Sequence, residues 1–258
     1  TQGFWEDHPV GRPILGTLET SESFSADLLR GYFRQAYTAR NLIVSAVGNV
    51  EHERVRELVE EKFGSLAANG SVLGEHAPQV VPKVLIRNKE LLQSHLCVGV
   101  SSYAQNHDDR YSSYLLNTLL GGSMSSRLFQ NVRERRGLAY AVFSGLSAYR
   151  DAGSFTVYAG CSNDAVGEVV DLVVEELRGV KRSPVPAAEL QRAKDHLKGS
   201  LMLSLENTAS RMSHIARQEI YFDRQFGLDE TLEGIDRVTI DDVRRVAAGL
   251  FRSGALSA

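Results

Sequence analysis

The sequence predicts an α+β fold in which one unit occurs twice, the first copy only partly present. Three observations carry this expectation. Helical stripes with apolar residues three and four apart alternate with short apolar runs of strand length. Residues 139–147 and 154–160 face each other across Arg150-Asp151-Ala152-Gly153, the pattern of an antiparallel hairpin. Near the end, Val238-Thr239-Ile240-Asp241-Asp242-Val243 repeats the staple, cap and acid of Phe24-Ser25-Ala26-Asp27-Leu28-Leu29 near the start. With that offset kept, Phe251 falls on Tyr37 and Leu256 on Leu42, so the chain stops where the repeat requires a buried strand.

Taken in order, residues 1–20 read as irregular, with Phe4-Trp5 and His8-Pro9-Val10-Gly11-Arg12-Pro13. Ser25 then caps a helix whose Leu28, Leu29, Tyr32, Phe33 and Ala36 form an apolar face expected to be buried. Leu42-Ile43-Val44-Ser45-Ala46-Val47 reads as a strand buried on both faces, and Val55, Leu58, Val59 and Phe63 mark the next helix. From Gly64 to Pro82 the chain is rich in Gly, Ala, Ser, Asn and Pro. This divides it into a first-half remnant at 1–65, a linker at 66–82 and a second half at 83–258.

The second half opens with strands at 84–87 and 95–101, then a helix from Asp108 carrying Tyr111, Tyr114, Leu115 and Leu119. Residues 119–145 follow as a single dense segment. Gly121 and Gly122 are expected to supply backbone angles closed to other residues, and Ser123 to cap a short helix that Gly137 ends. Leu128, Phe129 and Val132 would be its buried stripe, with Arg127, Arg133, Glu134, Arg135 and Arg136 toward solvent. After the hairpin, Val166, Val169, Val170, Val173, Val174, Leu177 and Val180 are the cleanest helical stripe in the chain. Further helices carry Leu190, Ala193, Leu197 and Leu201, then Met212, Ile215, Ala216 and Ile220.

The totals narrow the functional classes. A chain of 258 residues suffices for one large or two ordinary domains, and 43% hydrophobic with 24% charged residues is ordinary for a globular protein. A net charge of −3 without a basic block gives no reason to expect nucleic acid. No apolar run approaches the ~20 residues that cross a bilayer, and no signal-peptide pattern is present. The start at Thr1 rather than methionine reads as a piece of something longer, so the compartment, cytoplasmic or periplasmic, stays open. Cys97 and Cys161 read as two buried free thiols. His8, His52, His76, His95, His107, His196 and His214 are scattered, with no pair at helical spacing and no His-x-x-Glu-His, so no metal site is expected within this chain. Gly121-Gly122-Ser123 reads as a turn serving the fold, and spacing alone makes Arg133 a solvated helix residue and Tyr140 a core aromatic.

Beyond spacing, Leu-Leu-Gly-Gly-Ser-Met-Ser-Ser-Arg-Leu-Phe-Gln-Asn-Val-Arg-Glu-Arg-Arg-Gly-Leu-Ala-Tyr, ending at Tyr140, resembles the second-half motif of the pitrilysin/insulinase and mitochondrial-processing-peptidase family of zinc metallopeptidases. The stretches 8–16 and 37–48 resemble that family's segments near the end of its first half. The resemblance implies two related α/β halves with mainly antiparallel sheets flanked by helices, closing on an unfolded peptide or presequence. It places the zinc ligands and general base upstream of Thr1, so zinc belongs to the intact peptidase and none is bound here. It implies supporting catalytic contacts from Arg133, to a substrate carbonyl, and Tyr140, to the developing oxyanion. The implied partners are a peptide substrate and a zinc-bearing half on the same or a partner chain, as a homo- or heterodimer. The alternative is an inert family member acting as scaffold or partner subunit.

Overall fold

The computed structural model describes residues 3–68 and 76–258; positions 69–75 of the expected linker lie outside the described residues. Twelve elements of helix or strand matter below. They are α1 (Leu18–Glu22), α2 (Ala26–Ala36), α3 (His52–Phe63), β1 (Ser94–Ser102), α4 (Arg110–Leu120), β2 (Ala139–Ala148), β3 (Gly153–Cys161), α5 (Val166–Arg182), α6 (Ala187–Glu206), α7 (Thr208–Phe222), α8 (Leu228–Asp236) and α9 (Ile240–Leu250). Contacts group the chain into two units. One comprises the chain up to Gly11, Ala77–Leu201 and Phe226–Ala258; the other pairs Arg12–His76 with Met202–Gln225. The expected division at 66–82 follows chain order instead, and assigns Met202–Gln225 to the second half.

The first of these units contains an antiparallel sheet in the order β1-β3-β2. Beyond β1, Gly99 and Ser257 exchange N–H···O bonds of 2.8 Å in both directions, an isolated antiparallel bridge. Residues 84–87 do not form the expected ladder strand among the described residues. Their neighbourhood is tied to the end of the chain, with Leu85 N donating to Ala258 O at 2.7 Å and Ala258 N to Lys83 O at 3.0 Å. Two such bonds hold a segment in place without making a regular strand.

Helices α4, α5 and α9 pack on one face of this sheet. Side chains alternate along a strand, so Val98, Val100, Phe155 and Val157 meet Leu115, Leu119, Val169, Val173, Val243 and Val246 in one buried cluster. Each such side chain contributes about 1.5–3 kcal/mol by leaving water. The repeat is visible at this level. Helices α2 and α9 each run 11 residues between matched caps, Ser25 with Tyr37 and Thr239 with Phe251. Ser25 Oγ accepts from Leu28 N at 3.2 Å, and Thr239 closes a capping box with Asp242. The sequence reading did not anticipate α8.

In the other unit the elements form, but several expected burials do not. Residues up to 20 are not all irregular, because Thr17 caps α1 through a box with Thr20. Neither α2 nor α3 has a buried residue among those described, and Leu28, Leu29, Tyr32 and Phe33 of the predicted buried face are exposed. Residues 42–47 begin extended at Leu42, yet pair with no strand, and Ile43 and Val44 lie exposed. The cause is the same in each case. Periodicity marks which face is apolar, whereas burial and ladder bonds need a second surface, and none of the described residues supplies it.

Candidate functional site

The segment from α4 to β2 is organised by Gly121. Its carbonyl accepts from Ser144 N at 3.1 Å, and Ser144 Oγ donates to Asn117 Oδ1 at 2.8 Å, so β2 hangs from the end of α4. A Cβ at Gly121 would sit 2.4 Å from Ser144 N. The glycine is required for close approach, and neither Gly121 nor Gly122 has a positive φ. Ser123 does not cap the next helix either. Its hydroxyl pairs with that of Ser125, at 3.1 Å, while Ser126 Oγ donates to Ser123 O at 2.5 Å. Leu128 and Val132 are buried as expected, Phe129 only partly.

The short helix winds into a π turn at Phe129–Glu134. Arg135 N reaches back to Gln130 O, and Leu138 N to Val132 O at 3.0 Å. Gly137, at φ +63°, closes the turn. The expected solvated arginine face is sorted into distinct environments. Arg127 is not solvated: it forms two 2.7 Å bonds to Glu189, with both side chains 21% exposed. That carboxylate holds the guanidinium charge more firmly than usual, against the opposing effect of burial. Arg135 donates to Asn131 Oδ1 and Arg136 to Glu168 Oε1. Arg133 instead rests on rings, 4.8 Å from the Phe129 centroid and 5.6 Å from that of Tyr140, with Glu134 at 3.8 Å. The structure therefore brings the two sequence-predicted site residues, Arg133 and Tyr140, side by side.

A β-bulge decides where Tyr140 points. Ala139 pairs with Cys161 and Ala141 with the adjacent Gly160, leaving Tyr140 as the extra residue. In an unbroken strand Tyr140 would share the core face with buried Val142. The bulge turns it out, and the residue is 78% exposed. It is not a core aromatic, and its hydroxyl has no hydrogen-bond partner among the described residues.

The sheet face away from the helices carries further aromatic side chains that the sequence reading passed over. Phe143 and Tyr158 are direct cross-strand partners, with ring centroids 5.0 Å apart. Tyr158 Oη lies 2.8 Å from His95 Nδ1 on β1. The signal for them is the alternation opposite Phe155, Val157 and Ala159, which becomes usable on β2 only once the bulge is known. Cys97 also stands on this face and is exposed, correcting the expectation of two buried thiols; Cys161 is buried, and both are free. Burial raises the Cys161 thiol pKa.

No group of three or more His, Cys, Asp or Glu among the described residues could hold a metal ion. The donor set for zinc therefore does not fit these residues. No helix of the described residues is long and apolar enough to cross a membrane.

Comparison with known proteins agrees with this architecture. The Peptidase M16 inactive domain matches residues 23–197. The chain is 40% identical over 245 residues to the uncharacterized zinc protease YmxG of Bacillus subtilis, covering 95% of this chain and 60% of that protein. A chain of complex III2 from Candida albicans shares the fold with a TM-score of 0.89 at 18% identity, covering 99% of this chain and 63% of that one. The peptidase M16 inactive domain from Pseudomonas fluorescens does so with the same TM-score and identity, over 99% and 61%. This chain belongs to the peptidase M16 family, a family of zinc proteases, and carries its inactive domain. It spans about 60% of the length of the Bacillus subtilis relative.

Proposed function

We propose that this chain is the substrate-gripping, non-metal half of a zinc endopeptidase acting on unfolded peptides or presequences. On this reading residues 1–65 close a first half, 83–258 form the second, and zinc sits in a half borne by the same chain or by a dimer partner. The observation that carries it is the pairing of Arg133 and Tyr140. The guanidinium lies 4.8 Å from the Phe129 ring centroid and 5.6 Å from that of Tyr140, with the Glu134 carboxylate at 3.8 Å, and an exposed phenol is turned out by a bulge. Both are donors suited to carbonyl oxygens, Arg133 on a substrate carbonyl and Tyr140 on the oxygen where charge develops.

The test uses the full-length protein with any partner it requires. Arg133→Ala and Tyr140→Phe are each expected to reduce peptide kcat/KM by about 10- to 100-fold, with the melting temperature kept. Unchanged hydrolysis in both variants would remove the assignment. Likeness of fold to a complex III chain supports a second reading, an inert scaffold or partner subunit. That reading expects no peptide hydrolysis from the intact assembly and no effect of either substitution on it.

A further inference from the structure

The open sheet face holds more apolar surface than folding requires. Phe143 is 52% exposed on the side away from the core, although it lies in a strand that buries Val142 and Ser144 beneath it. Its neighbour Tyr158 is braced. The phenol extends over Gly160, where an added Cβ would come within 3.2 Å of Tyr158 Oη, and ends on His95 Nδ1. Next to Phe143 on the same face, Gly145 leaves open space, where an added Cβ would meet nothing within 4 Å. The result is an aromatic shelf, stiffened at one end and open at the other.

What fits the shelf is set by its surroundings. Tyr140, at the start of the same strand, presents an O–H donor, and Arg133, in the π turn before it and 5.6 Å from the Tyr140 ring centroid, presents N–H donors. A ligand must therefore offer carbonyl oxygens there and an apolar group at the shelf. Three residues along a strand span about 10 Å, somewhat less across a bulge, which matches about two to three residues of an extended chain. An extended peptide carries both groups at that spacing.

We propose that Phe143, braced by Tyr158 and His95, is a specificity-determining contact. It takes a bulky apolar or aromatic side chain of an extended peptide, about two to three residues from the carbonyl held by Arg133 and Tyr140. This rests on the reading of the chain as the substrate-gripping half. Phe143 selects among peptides, and Tyr158 and His95 act as positioning residues behind it.

The experiment measures kcat/KM and binding anisotropy of the full-length protein, with any required partner, for peptides in which one phenylalanine is moved through an otherwise alanine-rich sequence. The wild type is expected to favour phenylalanine over alanine by about tenfold at one position. Phe143→Ala should bring that ratio to about one, Phe143→Leu should keep most of it, and Tyr158→Phe, which loses the histidine bond, should lower it about two- to threefold. An unchanged ratio in Phe143→Ala overturns the proposal. If the same variant also melts at a lower temperature or dissociates, the shelf is covered by the protein's own remaining chain or a second copy. A preference lost in Phe143→Ala while Arg133→Ala and Tyr140→Phe cut no turnover keeps the shelf and rejects the grip. A wild type that neither binds nor cleaves any of the peptides rejects both.

Discussion

Arg127 and Arg133 come from one arginine-rich stretch, and nothing in their spacing distinguishes them. Their surroundings do. Arg127 points inward to a bidentate carboxylate on α6, whereas Arg133 leans on Phe129 and Tyr140 and leaves most of its donors unused. Family resemblance singled out Arg133 and Tyr140, but spacing alone would have left Tyr140 in the core, because strand parity cannot reveal a bulge. Asp109 shows a polar residue whose role is structural. Arg245 donates to both its oxygens at 2.7 Å, and this lowers its pKa below the usual 3.8. A carboxylate with a depressed folded pKa stabilises the fold above its ordinary pKa, and that stabilisation is lost as pH falls through the folded value. We expect Asp109→Asn to lower stability by about 1 kcal/mol at neutral pH, the partner being half exposed. The difference from wild type should shrink in urea unfolding curves as pH falls below the ordinary carboxylate range and through the lowered folded value. A difference that persists there would point to lost packing rather than lost charge.

At the scale of elements, the junction of α4 with β2 determines how the site is presented. Its sequence signature, a glycine pair before a charged helix, was legible, yet the reason for the first glycine was not. Gly121 serves the contact with Ser144, a residue distant in sequence, so its requirement is steric and belongs to the tertiary fold. Gly121→Ala is expected to destabilise by about 1–3 kcal/mol through overpacking, and to reduce peptide turnover by shifting β2. Gly137→Ala strains the backbone at φ +63° but meets no neighbouring atom. Its loss should be nearer 1 kcal/mol. Thermal melts of the two variants distinguish these causes: equal losses would mean that close approach at Gly121 is not the dominant constraint.

For the whole molecule, no group of three or more His, Cys, Asp or Glu among the described residues could hold a metal ion, and the proposed reading assigns zinc to another half. The chain purified alone is expected to contain well under one equivalent of zinc by mass spectrometry, and a chelator should leave its melting curve unchanged. One tightly bound equivalent would mean that the assignment of the metal to another half is wrong. The repeat also becomes instructive at this scale. Helices α2 and α9 share length, cap position and an apolar stripe, yet α9 buries Val243, Val246, Ala247 and Leu250, and α2 buries nothing.

That contrast separates what is written locally from what is not. Caps, stripes and the hairpin are local patterns of side-chain chemistry, so the sequence by itself determined the α+β class, the duplicated unit, the positions of most helices and, through its long motif, the family. Burial, ladder pairing, the bulge at Tyr140, the ring support of Arg133 and the aromatic shelf at Phe143 depend on residues brought together from distant parts of the chain. Only the tertiary structure decided these, because a periodic pattern names an apolar face without saying what, if anything, will lie against it.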